Sequence, residues 1–310
     1  MRALVTGASG FVGRYLVAAL HELRYDVVAC GGPSDPDYFP IDLTETSSLR
    51  AALEVAQPDV VFHLAAQTFV PQSISSPLAT YDVNALGTAR LAAAIRDYAK
   101  AGNALPRLVF TSSAEVYGMQ PPEAFPLYET VAPHPANPYA ASKAAAEAFL
   151  LGEAHAFGLD VVIARAFNHI GPGQNERFAV AGFAAQLARI AAGGDAKLLV
   201  GNLDARRDFL DVRDVVAAYV ALARDGESGE IYNVCSGAAR SIRDALRELI
   251  IAAHVPVEVR EDPARMRPSD VPLFVGSNEK LRVRTGWEPR IGFSRSVRDI
   301  YEAARTTLAP

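Results

Sequence analysis

A tyrosine and a lysine lie four residues apart in the sequence, at Tyr139 and Lys143. They belong to residues 137–157, which are predicted to form a helix, and residues four apart share one face of a helix. A phenol has an ordinary pKa of about 10, and a neighbouring ammonium group favours the phenolate and lowers that pKa. Such a phenol can donate a proton to a carbonyl oxygen while hydride adds to the carbonyl carbon. The pair is therefore a candidate catalytic site for carbonyl reduction.

A second group of polar side chains follows the strand predicted at residues 107–111. Ligands of open α/β sheets bind beyond the carboxyl ends of the strands. Ser113 is therefore a candidate for contact with a bound ligand, whereas Ser112 is expected to contact a cofactor or the main chain. Glu115 is a candidate second acid–base group, and a salt-bridged loop carboxylate is an equally good interpretation of it.

Three glycines follow the first predicted strand and open the first predicted helix, at Gly7, Gly10 and Gly13. Gly7 suits a tight turn, Gly10 leaves room for a pyrophosphate at the positive end of the helix, and Gly13 allows close packing of helix and strand. The strand–turn–helix context favours a dinucleotide site, because a glycine triplet alone is a weak signal. The residues expected to bind the cofactor here are Gly7, Ser9, Gly10, Phe11, Val12 and Gly13.

Short apolar runs alternate with longer helical stretches over the first 165 residues. This alternation predicts a doubly wound parallel α/β sheet of the Rossmann type. Predicted strands are 3–5, 26–30, 59–63, 107–111 and 160–164; predicted helices are 11–23, 46–56, 78–100 and 137–157. We expect a dinucleotide-binding domain at 1–165, to which residues 205–235 return, and a smaller substrate-binding lobe at 166–310.

The composition excludes several classes of protein. Half of the 310 residues are apolar, 21% are charged and the net charge is −5, so neither general disorder nor a basic surface for nucleic acid is expected. No apolar run approaches the length of a membrane span. The two cysteines, Cys30 and Cys235, indicate a reducing cytoplasm rather than a disulfide framework. No cluster of metal-ligand residues stands out, so no metal is predicted.

The order of these motifs resembles the extended short-chain dehydrogenase/reductase family, over nearly the whole chain. Residues 63–67 resemble the family's loop along the cofactor, and Asn84 with Gly87 resembles the helix motif that stabilises its sheet. Asp42 and Leu43 resemble the pair that holds the adenine ring. The resemblance implies that Tyr139, Lys143 and Ser113 form the catalytic trio. In this trio the Ser113 hydroxyl is expected to hydrogen-bond the substrate oxygen and to stabilise negative charge there. It adds to the cofactor site Asp42, Leu43, Leu64, Ala65, Ala66, Tyr139 and Lys143.

The choice of nicotinamide cofactor depends on the end of the second predicted strand, at Cys30. An acidic side chain there would bind the ribose 2′-hydroxyl and select NAD, but none occurs before Asp35. No arginine follows the strand either, although Arg14 or Ser34 is a candidate for binding a 2′-phosphate. We expect NADP(H) to be favoured over NAD(H).

The resemblance extends to nucleotide-sugar enzymes through residues of the second lobe. It implies that Asn168 contacts the sugar diphosphate and that Arg207 and Arg267 bind phosphate oxygens, which suits the paired donors of a guanidinium group. Lys197 is expected to lie near the base of the nucleotide. His169 is expected to be structural.

Within these enzymes the resemblance is to reductases of GDP-4-keto-6-deoxy-D-mannose. The segments that carry it are 167–174, 200–203, 207–209, 232–237 and 267–272. It implies NAD(P)H-dependent reduction of the 4-keto group of a GDP-sugar substrate, giving GDP-D-rhamnose. The fold and the trio do not fix the reaction, so GDP-mannose 4,6-dehydratase, and another nucleotide-sugar dehydratase or 4-epimerase, remain alternatives.

Two features argue against the dehydratase, although Glu115 matches its catalytic glutamate. That relative has Thr-Ser-Glu where this chain has Ser113, Ala114 and Glu115, and it carries a longer basic segment where residues 31–41 contain no basic side chain. A cofactor sensor without activity is disfavoured because Tyr139 and Lys143 are both present. In relatives the helices matching 78–100 and 137–157 form a dimer interface, so a homodimer is expected.

Overall fold

The central sheet gathers strands from both halves of the sequence. The computed structural model describes residues 1–265 and 271–308 of the 310-residue chain. The strands of this sheet are β1 (Arg2–Thr6), β2 (Asp26–Gly31), β3 (Phe39–Pro40), β4 (Val60–His63), β5 (Arg107–Ser113), β6 (Val161–Ala166) and, later in the chain, β10 (Ile231–Val234). Their order is β10-β6-β5-β4-β1-β2-β3, and every neighbouring pair is parallel. The predicted doubly wound parallel sheet is confirmed.

Helices cover both faces of this sheet. They are α1 (Phe11–Glu22), α2 (Thr46–Ala56), α5 (Gly87–Lys100), α6 (Pro138–Phe157) and α8 (Val212–Asp225). Successive residues of a strand point to opposite faces, so Leu4 packs with α2, α5 and α6 while Val5 packs with α1 and α8. Strands that are buried on both faces explain why the apolar runs showed no polar alternation.

A smaller sheet and a helical layer follow β6. The sheet contains β7 (Asn168–Ile170), β9 (Arg206–Asp211), β11 (Ala239–Ser241) and β13 (Leu273–Phe274), and β8 (Lys197–Val200) pairs separately with β12 (Glu258–Glu261). Against them lie α7 (Ala179–Ala191), α9 (Ile242–Ala253) and α11 (Phe293–Leu308), which share one apolar core. A short α10 (Glu279–Thr285) packs on α8 and β10. Only Phe167 separates β6 from β7, so the two sheets are directly joined.

The long helix predicted at 78–100 is interrupted. It consists of α4 (Pro77–Tyr81), a π-helical turn (Asp82–Leu86) and α5, and it is preceded by α3 (Val70–Ser75). Short 3₁₀ turns occur at Ala114–Tyr117, Pro122–Ala124 and Pro263–Arg265. The prediction of helix was right, but the wider turn, which contains Asn84, was not foreseen.

The division into two lobes at residue 165 stays a prediction. β10 joins the central sheet, as expected for residues 205–235, whereas β9 lies in the smaller sheet. Within the described residues, no helix combines the length and apolarity needed to cross a bilayer.

Candidate active site

A cavity of about 710 Å³ opens at the carboxyl edge of the central sheet. Its walls come from the turn between β1 and α1, the loop after β4, the end of β5, the start of α6 and the segment that follows β6. This is the edge at which open α/β sheets bind ligands. The volume is in the range of a small-molecule or cofactor site.

The glycine turn forms one end of this cavity. Gly7 has φ +72°, and a Cβ atom there would lie 2.7 Å from the main-chain nitrogen of Ala65. A Cβ on Gly13 would lie 2.1 Å from the main-chain oxygen of Gly7. The helix α1 begins immediately afterwards at Phe11, so its unpaired N–H groups face the cavity as an anion site requires. The chain therefore forms a cradle that fits a pyrophosphate.

Most of the predicted cofactor residues line this cavity. They are Gly7, Gly10, Phe11, Val12, Gly13, Leu64, Ala65, Ala66, Tyr139 and Lys143. Asp42 and Leu43 lie instead just past β3, outside the lining. The Asp42 carboxylate accepts hydrogen bonds from the Thr44 hydroxyl (2.7 Å) and main-chain nitrogen (2.8 Å), which lower its pKa. Its structural role is to hold that turn.

The loop after β4 is fixed from beneath by buried side chains. Asn84, in the π-helical turn, accepts a hydrogen bond from the Gln67 main-chain nitrogen (2.8 Å) and donates to Ser142 of α6 (3.0 Å). His63 lies between the hydroxyls of Thr6 (2.8 Å) and Thr88 (2.9 Å), and burial lowers its pKa to about 3. The loop after β4 is therefore held by neutral polar side chains that hydrogen-bond to one another and to the main chain.

Ser113, Tyr139 and Lys143 all line the same cavity. Asn137 caps α6 by accepting a hydrogen bond from the Ala140 main-chain nitrogen (2.9 Å), and Pro138 occupies the first helical position. The helix therefore begins where its first turn presents Tyr139 to the end of β5. A phenol, an ammonium group and a hydroxyl from distant parts of the chain thus border one cavity, and their catalytic roles stay a prediction.

Burial controls the protonation of the tyrosine and the lysine. It raises the pKa of Tyr139 to about 12, against the lowering effect of a hydrogen bond from Ser113. Burial lowers the pKa of Lys143 to about 7, and the negative charge of Glu147 opposes this. The Lys143 ammonium donates to the main-chain oxygen of Thr111 (2.8 Å) rather than to the phenol. The expected lowering of the Tyr139 pKa by Lys143 is therefore not what this structure shows.

A buried ion pair lies under the lysine. The Glu147 carboxylate, one turn beyond Lys143, accepts from Arg165 Nη2 (2.7 Å) and from the Ser112 hydroxyl. The Arg165 guanidinium lies 4.7 Å from the centre of the Tyr117 ring. The prediction that Ser112 contacts a cofactor or the main chain missed this partner, because Glu147 comes from another element. The four-residue spacing from Lys143 was the signal that placed Glu147 on the same helix face.

Glu115 is exposed at the rim of the cavity. Its Oε2 accepts a hydrogen bond from Asn137 Nδ2 (3.1 Å). The residue thus borders the same cavity as Ser113, Tyr139 and Lys143, and its partner is the side-chain amide that caps α6. Both interpretations from the sequence, acid–base group and loop carboxylate, remain compatible with this position.

A second cavity, of about 240 Å³, adjoins the first and is lined by residues of β7, α7 and β9. Asn168 and His169 line both cavities. His169 Nδ1 donates to the main-chain oxygen of Phe167 (3.1 Å), its ring stacks on Phe11 at 6.1 Å, and burial lowers its pKa. These contacts fix a neutral imidazole at the junction of the cavities.

The predicted basic substrate residues have different positions. Arg207 lines the second cavity, where its Nη1 donates to the main-chain oxygen of Val271 (2.6 Å). Lys197 is exposed on β8 and pairs with Asp195 (3.1 Å), outside both linings. Arg267 lies outside the described residues. Arg265, which sequence reasoning left without a role, also lines the second cavity.

The charged residues considered for the choice of cofactor are Asp35, which follows β2, and Arg14 of α1. A Cβ on Gly31 would lie 3.3 Å from the Asp35 Cβ, so the turn brings this carboxylate back beside the strand end. The number of residues between Asp35 and the strand did not reveal this proximity. Arg14 donates to the main-chain oxygens of Ser9 and Gly173, both at 3.4 Å, on the side of the smaller lobe.

Comparison with known proteins gives consistent results. Residues 32–300 match the family described as GDP-mannose 4,6 dehydratase. The chain is 42% identical over 300 residues to GDP-6-deoxy-D-mannose reductase of Pseudomonas aeruginosa, covering 96% of this chain and 95% of that protein. It is 32% identical to GDP-mannose 4,6 dehydratase 1 of Arabidopsis thaliana, covering 96% and 87%.

Solved structures agree with these relatives. The structure of RMD from Pseudomonas aeruginosa complexed with NADPH matches with a TM-score of 0.89 at 39% identity, over 99% of this chain and 100% of that one. The similarity thus covers both sheets and both cavities. The chain belongs to the GDP-mannose 4,6 dehydratase family of extended short-chain dehydrogenase/reductase enzymes.

Proposed function

We propose that the protein reduces the 4-keto group of GDP-4-keto-6-deoxy-D-mannose to give GDP-D-rhamnose, with NADP(H) as cofactor. The observation that carries this proposal is the placement of Ser113, Tyr139 and Lys143 on one cavity whose far end is the glycine turn. The similarity to GDP-6-deoxy-D-mannose reductase supports the choice of substrate.

The residues of the chain divide the work of reduction. A nicotinamide cofactor held by the glycine turn and the loop after β4 would supply the hydride that reduces the carbonyl carbon. Tyr139, whose pKa is raised to about 12, keeps its proton until negative charge develops on the sugar oxygen, and it then protonates that oxygen. Ser113 donates a hydrogen bond to the same oxygen. Lys143, whose ammonium donates to the Thr111 main-chain oxygen, contributes positive charge to the same cavity, and the negative charge of Glu147 favours this protonated form.

Incubation with GDP-4-keto-6-deoxy-D-mannose and NADPH tests this function. We expect loss of absorbance at the reduced-nicotinamide band and formation of GDP-rhamnose. Tyr139→Phe is expected to lose turnover by about 10²-fold or more, the usual contribution of a general acid, while NADPH binding is retained. No reduction by the wild-type protein would contradict the proposal.

GDP-mannose 4,6-dehydratase is the second candidate, because Glu115 lies at the cavity rim near the trio. Conversion of GDP-mannose without added reductant would favour it. Glu115→Gln separates the two: a reductase keeps its activity within a few fold, whereas a dehydratase that uses this carboxylate loses turnover.

The preference for NADP(H) is part of the same proposal. The Pseudomonas aeruginosa structure complexed with NADPH supports it, while the Asp35 carboxylate beside Gly31 acts against a 2′-phosphate. We expect NADPH to bind more tightly than NADH in a fluorescence titration, and Asp35→Asn to widen that difference. Tighter binding of NADH would reverse the assignment.

We also propose that residues 1–165 with 205–235 bind the cofactor and that residues 166–310 bind the nucleotide sugar.

We propose in addition that two chains associate through α4, α5 and α6. Exposed apolar side chains on these helices, such as Leu78 (84% exposed) and Phe149 (40%), support the dimer. Cys30 and Cys235 are buried and unpaired, in agreement with a cytoplasmic location.

A further inference from the structure

The two cavities share a wall. Five described residues border both of them: Asn168, His169, Gln174, Arg177 and Phe178. This inference rests on the proposed function, under which the keto sugar lies beside Tyr139 and the nucleoside occupies the smaller cavity. The diphosphate that joins the two must then cross the shared wall.

Arg177 gives this wall its positive charge. A guanidinium group stays protonated at any working pH, whereas the neighbouring His169 is neutral because its burial lowers its pKa. Glu176 borders the smaller cavity, but its carboxylate pairs with Arg189 Nη2 (2.5 Å). Among the shared residues that the structure describes, Arg177 is the one permanent cation.

The Arg177 guanidinium lies between two aromatic rings. Its Cζ is 4.7 Å from the centre of the Phe69 ring and 5.4 Å from that of Phe178, and the two rings are 6.5 Å apart, edge to face. Phe69 precedes α3 and Phe178 precedes α7, so these contacts join the two sides of the cleft. Within the described parts of the chain, no carboxylate lies at ion-pair distance from this guanidinium.

We propose that Arg177 is a further substrate-binding residue. Its guanidinium moves away from the Phe69 and Phe178 rings and binds the diphosphate of a nucleoside diphosphate sugar. The side chain is exposed, and its main-chain nitrogen is fixed to Asn175 Oδ1 (3.0 Å), so the long side chain can turn while its base stays in place. A cation over exposed rings is held weakly, whereas paired N–H donors on phosphate oxygens form strong charge-assisted hydrogen bonds. Replacing the contact of Arg177 with the rings by hydrogen bonds to phosphate therefore favours the bound state. The same movement breaks the contacts of Arg177 with Phe69 and Phe178 across the cleft.

Calorimetric titration of the full chain with GDP, GMP and NADPH tests this role. Arg177→Gln is expected to weaken GDP binding by about tenfold, the effect of losing roughly one charge-assisted hydrogen bond, and to weaken GMP binding less. Arg177→Lys keeps the charge without the fork of donors and should recover part of the loss. NADPH binding should not change.

Arg282→Gln is the matched control, because Arg282 is an exposed arginine of α10 that pairs with Glu288 (2.6 Å) outside both cavities. It should bind GDP as the wild type does, with the same melting temperature. If Arg177→Gln and the wild type bind GDP equally, or if only NADPH binding weakens, the role of Arg177 is refuted while the proposed function stands. A wild-type protein that binds no GDP would contradict the proposed function itself.

Discussion

Among single residues, Lys143 determines how reduction should respond to pH. Burial lowers its pKa to about 7, so its cation is present below that pH and is lost above it. We predict that kcat/KM for the sugar, at saturating NADPH, is level on the acid side and falls about tenfold per pH unit on the alkaline side. Steady-state rates from pH 5.5 to 9 measure this.

Lys143→Arg provides the comparison for that profile. A guanidinium keeps its charge over the whole range, so the alkaline fall should disappear even though the variant is slower. A wild-type profile that stays flat up to pH 9 would remove Lys143 from the proposed role.

The ion pair beneath the lysine should contribute strongly to stability. Both side chains of Glu147 and Arg165 are almost fully buried, at 3% and 2% exposure. Glu147→Gln leaves a buried guanidinium without its counter-charge, and we predict a loss of about 3–5 kcal/mol in the free energy of unfolding, measured in urea.

Glu153→Gln is the matched control on the same helix. Its pair with Arg96 (2.6 Å) is more exposed on the arginine side, at 27%, and we expect a loss of about 1 kcal/mol. Equal losses in the two variants would show that burial of the pair does not matter.

The residues proposed to be catalytic could be predicted because each stands in a recognisable local context. Tyr139 and Lys143 share a helix face by their four-residue spacing alone, and Ser113 is the last residue of β5. The partner of Glu147 was not predictable, since Arg165 comes from β6 and only the fold brings the two together. Asp35 likewise returns to the end of β2 through a turn that its sequence distance does not reveal.

At the level of elements, the start of α6 connects folding to catalysis. Asn137 caps the helix through its Oδ1 and holds Glu115 through its Nδ2. We predict that Asn137→Ala lowers the free energy of unfolding by about 1 kcal/mol, the usual value of a lost cap, and lowers kcat because Tyr139 lies in the first turn. Urea unfolding and steady-state kinetics measure the two effects.

Asn137→Ser separates them. A serine still caps a helix but lacks the Nδ2 donor that Asn137 offers to Glu115. The variant should therefore be as stable as the wild type, and any change in its rate reports the contact with Glu115. An alanine variant of unchanged stability would contradict the capping role.

Long elements with strong periodicity were predicted well, and short ones were not. The central strands and α6 follow from apolar runs and a regular helical pattern, whereas β7, β11 and β13 have only two or three residues each. These strands form because each of them pairs with β9. A local sequence pattern does not reveal such pairing. The helix α9 did carry a signal, the capping box of Ser241 and Asp244, which the analysis of the sequence did not use.

For the molecule as a whole, the exposed apolar face of the long helices predicts a dimer. Leu78→Glu places a charge on that face and should shift the protein to monomers, as measured by light scattering at micromolar concentration. Val283→Glu is the control, since Val283 is equally exposed (82%) but lies on α10. A monomeric wild type, or equal behaviour of both variants, would refute the interface.

The π-helical turn has a consequence for how this chain can change. Asn84, which anchors the cofactor loop, and Leu86, which is exposed beside it, belong to the same five residues. A π-helical turn holds one residue more than an α-helical turn, so loss of one residue inside it would leave α5 in nearly the same orientation. Loss of one residue from α4 would instead rotate α5 by about 100° about the helix axis, and Gly87 would then turn away from Leu43, against which it packs. The π-helical turn can therefore absorb a change of length that the α-helical residues on either side of it cannot.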